Sequence, residues 1–518
     1  MKNTEQVYNN RRNKSKSIAN NGIHKSGDNQ RKQWATRNDG LRPHPSWHIV
    51  LTCYLTFAIL IAFGYINEFL TYIGLKRNKA ISETNREGYA CLYGTWQSFF
   101  TRYIYRRVCD AFSQPICSVP AGNVHVLDRK SDDYNLTFRL TGNKTNAINL
   151  GSYNYLGFAQ NTGSGTDRVL QTVHKYGIGI ASTHHELGKL DIHIELEELF
   201  ARYLGVESVV TFGMGFATNS TNIATFAGKG CLILGDEYNH ASLKSGSYIS
   251  GATYRSFRHN NMNDLETKIR DSIALGDTKS GQKWKKIVII VEGVYSMEGS
   301  IANLPELIRL KKKYKCYLYV DEAHSIGAIG PNGRGITDFY GCDPNDIDLL
   351  MGTFTKSFGA SGGYIAGPRH VIDRIRAYTQ SAYATNMSAP IAQQIISVVK
   401  VLIGETDGTD GIERINRLSE NTKYFRKRLK EMGFIVLGHP ESPVIPILLY
   451  FPAMISPFVR LGLNRGIATV GAGYPATTLT TNRIRFCMSS AHNQQMLERA
   501  LNIISQIGDE FNIKYLKT

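Results

Sequence analysis

Lys356 closes the stretch Asp348-Leu-Leu-Met-Gly-Thr-Phe-Thr-Lys356 and is followed by Ser-Phe-Gly-Ala-Ser-Gly-Gly363. A lysine leaving an apolar run among small and hydroxyl residues is poorly placed as a solvated surface charge. An amine in a constricted apolar site loses its proton readily, which is the condition for Schiff-base chemistry. Taken alone, the residue could equally pair with a phosphate or a carboxylate. Asp321 ends another such run, Tyr317-Leu-Tyr-Val-Asp321, and Glu-Ala-His324 follows it. A buried carboxylate there could keep the ring nitrogen of a pyridoxal coenzyme protonated, as the ring must be to accept electrons. The plain alternative is a strand-end turn or a helix cap. His324 could hydrogen-bond the phenolic oxygen of the same ring. Gly213-Met-Gly-Phe-Ala-Thr-Asn219 offers main-chain amides, Gly215 and Phe216 among them, where a strand gives way to a helix, and such a turn suits a phosphate. Glu237-Tyr-Asn-His240-Ala-Ser242 supplies an imidazole that could stack on the ring's exposed face. Each signal is weak by itself, because glycine turns and lone histidines are common for structural reasons.

Asp321-Glu-Ala-His324 also spells a box found in nucleic-acid helicases. Such an enzyme needs a Walker A loop, GxxxxGK[ST], to cradle nucleotide phosphates. The Gly-Lys pairs at Gly188-Lys189 and Gly228-Lys229 precede Leu190 and Gly230 and lack the earlier glycine, so that reading fails. The eight cysteines are scattered, with no CxxC pair and no spacing that suits zinc, so no metal site is expected and a reduced, cytosol-facing body is the simplest reading.

The elements that would position these groups are legible as β-rich apolar runs at Ser208–Phe212, Cys231–Leu234, Ile287–Val291, Cys316–Val320 and Asp348–Met351. Continuous apolar runs alternating with helices such as Ile194–Tyr203 and Leu304–Tyr314 predict a mainly parallel α/β sheet covered on both faces. Functional groups then belong just beyond the carboxyl ends of the strands. From about Gln380 onward, helical segments and the run Val444–Tyr450 predict a smaller α+β domain.

Charge and hydropathy set the front of the chain apart. The formal net charge is +17, which implies an anionic partner such as nucleic acid, acidic lipid or a phosphate-rich small molecule. Residues 1–46 carry ten of the basic residues against Glu5, Asp28 and Asp39 and are rich in Asn, Ser and Gly, so they read as a disordered basic arm. It is equally well a solvated tail or an anchor to anionic lipid. Ile49 to Ile66 contains no charge, Trp47, Tyr65 and Tyr72 sit where interfacial aromatics are expected, and Lys76, Arg77 and Lys79 follow. About 20 apolar residues span a bilayer, so residues 47–70 are expected to form a membrane helix, either crossing or lying in the plane. The expected division is a basic arm (1–46), this helix, an N-terminal arm region (71–145), a large coenzyme domain (146–380) and a C-terminal small domain (381–518).

Lys356, Asp321, His324, His240 and the Gly213 turn, in this order of roles and positions, resemble the α-oxoamine synthase family of fold-type I pyridoxal-phosphate enzymes, from about residue 85 almost to the end. Gly352–Tyr364, Gly151-Ser-Tyr-Asn-Tyr-Leu-Gly157, Val291-Glu-Gly-Val-Tyr-Ser-Met-Glu-Gly299 and Arg107–Pro120 are most similar to the lysine-bearing subunits of the eukaryotic serine palmitoyltransferases. The resemblance implies the transferase fold of type I, and Lys356, Asp321 and His240 as the catalytic set. It also implies that Thr353 contacts the coenzyme phosphate and Ser296 lines the ring pocket. Arg483 or Arg485 would hold a serine carboxylate, with Arg483 preferred. The implied reaction is decarboxylative condensation of L-serine with a long-chain acyl-coenzyme A to give 3-ketosphinganine. A lysine-lacking partner subunit, membrane lipid and an endoplasmic reticulum membrane address are implied with it, and no nucleic acid. The family's rival for this reading is 5-aminolevulinate synthase, which joins glycine to succinyl-coenzyme A; a transit peptide would not be followed by a segment long enough for a bilayer. One departure is His184 in Gly179-Ile-Ala-Ser-Thr-His-His-Glu-Leu-Gly188, where the relatives tend to carry arginine.

Overall fold

The computed structural model describes residues 45–516 apart from 76–86, 91–94, 186, 279, 382–383, 385–386 and 407–409. All but the last two residues of the basic arm, and the cations Lys76, Arg77 and Lys79, lie outside the described residues. The chain enters through helix α1 (Trp47–Tyr72) and the short helix α2 (Thr95–Tyr103), then a hairpin of β1 (Asn123–Lys130) and β2 (Arg139–Asn149).

Seven strands build the large sheet: β3 (Ser208–Phe212), β4 (Cys231–Asp236), β5 (Thr253–Phe257), β6 (Lys286–Glu292), β7 (Tyr317–Asp321), β8 (Leu349–Thr353) and β9 (Gly363–Gly367). Their order across the sheet is β3-β9-β8-β7-β6-β4-β5. Five of them, from β8 to β5, run parallel, and β9 runs antiparallel to both β8 and β3. Every residue of β3, β4, β8 and β9 is buried, which is why these strands read as unbroken apolar runs rather than as alternation. Helices flank the sheet, among them α3 (Asp191–Leu204), α4 (Gly215–Ser220), α5 (Ala241–Ile249) and α6 (Leu304–Tyr314). Asp191–Leu204 buries Ile192, Leu196, Leu199, Phe200 and Tyr203, an i, i+3/i+4 stripe that faces the core.

Beyond the large sheet, β10 (Val444–Tyr450), β12 (Val470–Ala472) and β13 (Asn482–Cys487) form a second, antiparallel sheet. The two-residue strand β11 (Ile467–Ala468) pairs instead with β2, Ile467 opposite Ile148, so the hairpin near the front of the chain is stitched to its C-terminal third. Helix α1 is long and apolar enough to cross a membrane. One of its faces meets the folded body along most of its length. Cys53 Sγ donates to the carbonyl of Tyr450 at 3.7 Å, Phe57 packs edge-on to Tyr474, Tyr65 stacks on Phe99, and Glu68 pairs with Arg102. The opposite face exposes Leu51, Tyr54, Leu55, Ile59, Phe63, Ile66 and Phe69.

Candidate active site

The carboxyl ends of β3, β4, β6, β7 and β8 converge, and the turns that leave them carry the chemistry. Asp321, the last residue of β7, is buried; its Oδ2 accepts from Asn219 Nδ2 at 2.8 Å and its Oδ1 from the main-chain N–H of Ala323 at 2.8 Å. Asn219 sits in α4, one turn after Gly215, and is held in turn by the hydroxyl of Tyr319, which donates to Asn219 Oδ1 at 2.7 Å. The same amide nitrogen donates to Ser242 Oγ at 3.0 Å, and Ser242 Oγ lies 2.8 Å from His240 Nδ1. One asparagine thus connects the strand-end carboxylate to the imidazole. His240 caps α5, accepting at Nδ1 from the main-chain N–H of Ser242, and its ring stays open to the cleft with Phe216 edge-on at 6.0 Å. Burial, with the charge of Lys356 adding to it, lowers the His240 pKa against the pull of Asp321.

Lys356 follows β8 and lies half-buried in the same cleft. Burial brings its ammonium down to about 8, opposed chiefly by the attraction of Asp321. Its Nζ stands 5.5 Å from the ring centre of Tyr153, and the Arg485 guanidinium stands 4.6 Å from the same ring. His324 is buried beside them, with Nδ1 2.8 Å from the hydroxyl of Tyr155 and its ring edge-on to Tyr153. Burial and the nearby cations Lys356 and Arg485 push its pKa well below the ordinary histidine value, so it is a neutral hydrogen-bonding group. Thr353 and the Gly213 turn are brought together as the sequence reading requires. A Cβ added at Gly215 would come within 2.6 Å of Thr353 Oγ1, and that hydroxyl already donates to the carbonyl of Gly362 at 2.9 Å.

The two arginines of β13 are placed differently. Arg483, 1% exposed, donates Nε to the carbonyl of Thr481 and Nη1 to the carbonyl of Met297 at 2.8 Å, and pairs with Glu298 at 3.3 Å. Arg485 leans over Tyr153, reaches the carbonyl of Ser296 only at 3.5 Å, and keeps a buried Nε with no partner among the described residues. The Arg483 guanidinium is thus committed to the protein, whereas Arg485 has capacity to spare beside Lys356. Ser296 lies in this group through that carbonyl. His184 is buried, its Nε2 3.5 Å from Thr211 Oγ1 and its ring packed against His185 and His193.

Four residues here went unassigned in the sequence reading: Asn219, Glu292, Tyr153 and Tyr155. Asn219 was inside a quoted motif, and its spacing of four from Gly215 on a helix was the available signal. Glu292 had one too, as the acid that ends a buried strand next in the sheet to Asp321.

A lysine just past the end of one strand and an aspartate at the end of its neighbour, beside an amide-lined turn, define a coenzyme site of the fold-type I pyridoxal-phosphate class. The model of the aminotransferase class I and II family matches residues 145–504, so the chain belongs to that class. Within it, the chain belongs to the serine palmitoyltransferase family. It is 49% identical to serine palmitoyltransferase 3 of Mus musculus over 96% of this chain and 89% of the relative. It is 44% identical to serine palmitoyltransferase 2 of Saccharomyces cerevisiae, with 91% and 84% covered. The solved serine palmitoyltransferase of Sphingomonas wittichii, 26% identical, superposes with a TM-score of 0.66 over 72% of this chain and 90% of its own. The cleft fits pyridoxal phosphate on its own terms. The Gly215 approach leaves room that a side chain would close, the lysine amine is easily freed of its proton, and the unpartnered Arg485 Nε awaits an anion.

Proposed function

We propose that this chain is the lysine-bearing catalytic subunit of a serine palmitoyltransferase, joining L-serine to a long-chain acyl-coenzyme A with loss of carbon dioxide and coenzyme A to give 3-ketosphinganine. The observation that carries this is Lys356, an amine of lowered pKa facing the strand-end carboxylate Asp321 in a cleft whose only under-satisfied cation is Arg485 among the groups described above. Lys356 would hold the coenzyme covalently, Asp321 would hold its ring nitrogen, and His240 would cover one face. His324 would bond its phenolic oxygen, and Thr353 with the amides of Gly215 and Phe216 would hold its phosphate. Bound there, pyridoxal phosphate supplies an electron sink for negative charge at the amino acid's α-carbon.

The chain's own residues do the rest. Arg485 binds and orients the serine carboxylate, and Tyr153 beneath it fixes the guanidinium plane. Lys356, once displaced by serine, takes the α-proton at Nζ, a transfer suited to an amine whose pKa lies near 8. The carboxyl group of Asp321, oriented by its bonds from Asn219 and Ala323, is placed to pair with the ring nitrogen. Carbon–carbon bond formation expels the thiolate of coenzyme A, the carboxylate held by Arg485 leaves as carbon dioxide, and Lys356 Nζ returns a proton to the α-carbon. The lipid product suits a membrane address: α1 is the membrane anchor, with the catalytic body on the cytosolic side of the endoplasmic reticulum and a lysine-lacking subunit as partner.

Purified protein should be yellow, and borohydride should fix a pyridoxyl group on the Lys356 peptide. Lys356→Ala should abolish turnover. Labelled serine with palmitoyl-coenzyme A should give 3-ketosphinganine by mass spectrometry; product from glycine and succinyl-coenzyme A instead would refute the assignment.

A further inference from the structure

Three carboxylates stand in a row along the carboxyl edge of the large sheet. Asp236 ends β4, Glu292 ends β6 and Asp321 ends β7, and these strands are successive neighbours. Their residues are 1%, 4% and 3% exposed, so all three are withdrawn from bulk solvent. The outer two are each furnished with several hydrogen-bond donors. Asp236 accepts from His259 Nδ1 at 2.9 Å and from the main-chain N–H groups of Tyr238 and Asn260. Asp321 accepts from Asn219 and Ala323 as described.

Glu292, between them, has no such company. Among the described residues its carboxyl accepts one hydrogen bond, from the main-chain N–H of His240 at 2.6 Å, and makes no ion pair. The hydroxyl of Tyr295 meets the main chain of Glu292, not its carboxyl. The charged groups facing it are Asp321 of β7, Asp236 of β4, and Lys356 from beyond β8, with the His240 ring above. Two anions outnumber the one cation, and a buried carboxyl beside like charge is more stable with its proton on.

We propose that Glu292 is a positioning residue that works as a neutral carboxylic acid, fixing the His240 main chain and leaving Asp321 as the one negative charge offered to the coenzyme ring. Its pKa is accordingly raised well above the carboxylate range, by burial first and by Asp321 next. The geometry explains why His240 can sit at an N-cap and still present its ring to the cleft: its N–H is pinned from below, while Ser242 pins Nδ1 from the side. An ionised Glu292 would place a second anion under a singly charged ring and hold the lysine–coenzyme bond protonated to higher pH.

The inference rests on the coenzyme reading above, and the test separates the two. The coenzyme absorbance of the holoenzyme is titrated with pH in wild type and in Glu292→Gln, which keeps an acceptor for His240 but can carry no charge. A neutral Glu292 predicts a shift of less than about 0.3 unit in the midpoint, whereas removal of a real anion would lower it by about one unit or more. A purely structural role would not distinguish these outcomes. Glu292→Ala, which removes the acceptor, should weaken activity about tenfold. If the glutamine variant does not fold, infrared spectra of wild-type holoenzyme decide. A protonated carboxyl band must persist at about pH 9, beyond the titration of Glu322, which burial raises to about 7. Its absence overturns the proposal. Failure of borohydride to label Lys356 would instead overturn the coenzyme reading.

Discussion

At the scale of single residues, the contrast between Arg483 and Arg485 shows how side chains of one type, two apart on one strand, divide the work. Arg483 is spent on Thr481, Met297 and Glu298, so Arg483→Ala should leave two main-chain carbonyls without their donor and cost stability, about 1–3 kcal/mol for each group left unsatisfied. Arg485→Ala removes a group whose Nε has no partner among the described residues. It should leave the melting temperature nearly unchanged and raise the serine KM by roughly 10- to 100-fold, the worth of a charge-assisted hydrogen bond. Steady-state kinetics together with thermal melts of the two variants check both halves; a serine KM that moves only with Arg483 would restore the first preference. A second consequence concerns Lys356. The free amine is the nucleophile, and its fraction grows as pH rises through about 8. Reattachment of pyridoxal phosphate to the coenzyme-free protein should therefore speed up about tenfold per unit below that point and level off above it. A rate that is flat from about pH 6.5 to 8.5 would contradict the assigned titration.

Among the elements, α1 repays closest reading, because its length and its contacts point in different directions. Length and composition allow a bilayer crossing, since 26 residues reach about 39 Å. The contacts, however, run from Cys53 through Phe57, Gly64 and Tyr65 to Glu68, all against the folded body. A helix bound to an aqueous domain over that span cannot also stand across the bilayer, so α1 is expected to lie in the interface with Leu51, Leu55, Ile59, Phe63 and Ile66 in the lipid. Single cysteines placed at His48 and at Tyr72 should then react with an impermeant maleimide from the same side of sealed membranes; labelling from opposite sides would establish a crossing helix. Gly64 supplies a second check. A Cβ there would fall 2.4 Å from Phe99 Cζ, so Gly64→Leu should lift the helix off the body without preventing membrane attachment.

For the molecule as a whole, the sequence was most informative where one residue's neighbours in the chain are also its neighbours in space. The buried strands of the large sheet read as apolar runs, and the groups at their ends, Lys356, Asp321 and the Gly213 turn, could be placed because a parallel sheet collects its strand ends on one edge. What stayed hidden depends on contacts between distant segments. Nothing near Ile467 announces that it pairs with Ile148, and nothing near Arg483 announces that Met297 and Glu298, nearly two hundred positions away, hold its guanidinium. His492 belongs to this long-range class. It follows β13, accepts at Nδ1 from the main-chain N–H of Ser489, and donates Nε2–H to the carbonyl of Asn149 at the end of β2, tying the two ends of the fold together. Burial lowers its pKa to about 4, against about 6.5 in an unfolded chain. The neutral ring is the folded form, so its contribution is fully present above pH 6.5 and is lost as pH falls toward 4, where the unfolded chain binds the extra proton. That difference amounts to about 3 kcal/mol. His492→Asn cannot take up that proton and should be less stable than wild type at neutral pH yet lose less between pH 7 and about 4.5. Urea midpoints of both proteins at the two pH values measure it, and equal acid losses would show that His492 does not carry the effect.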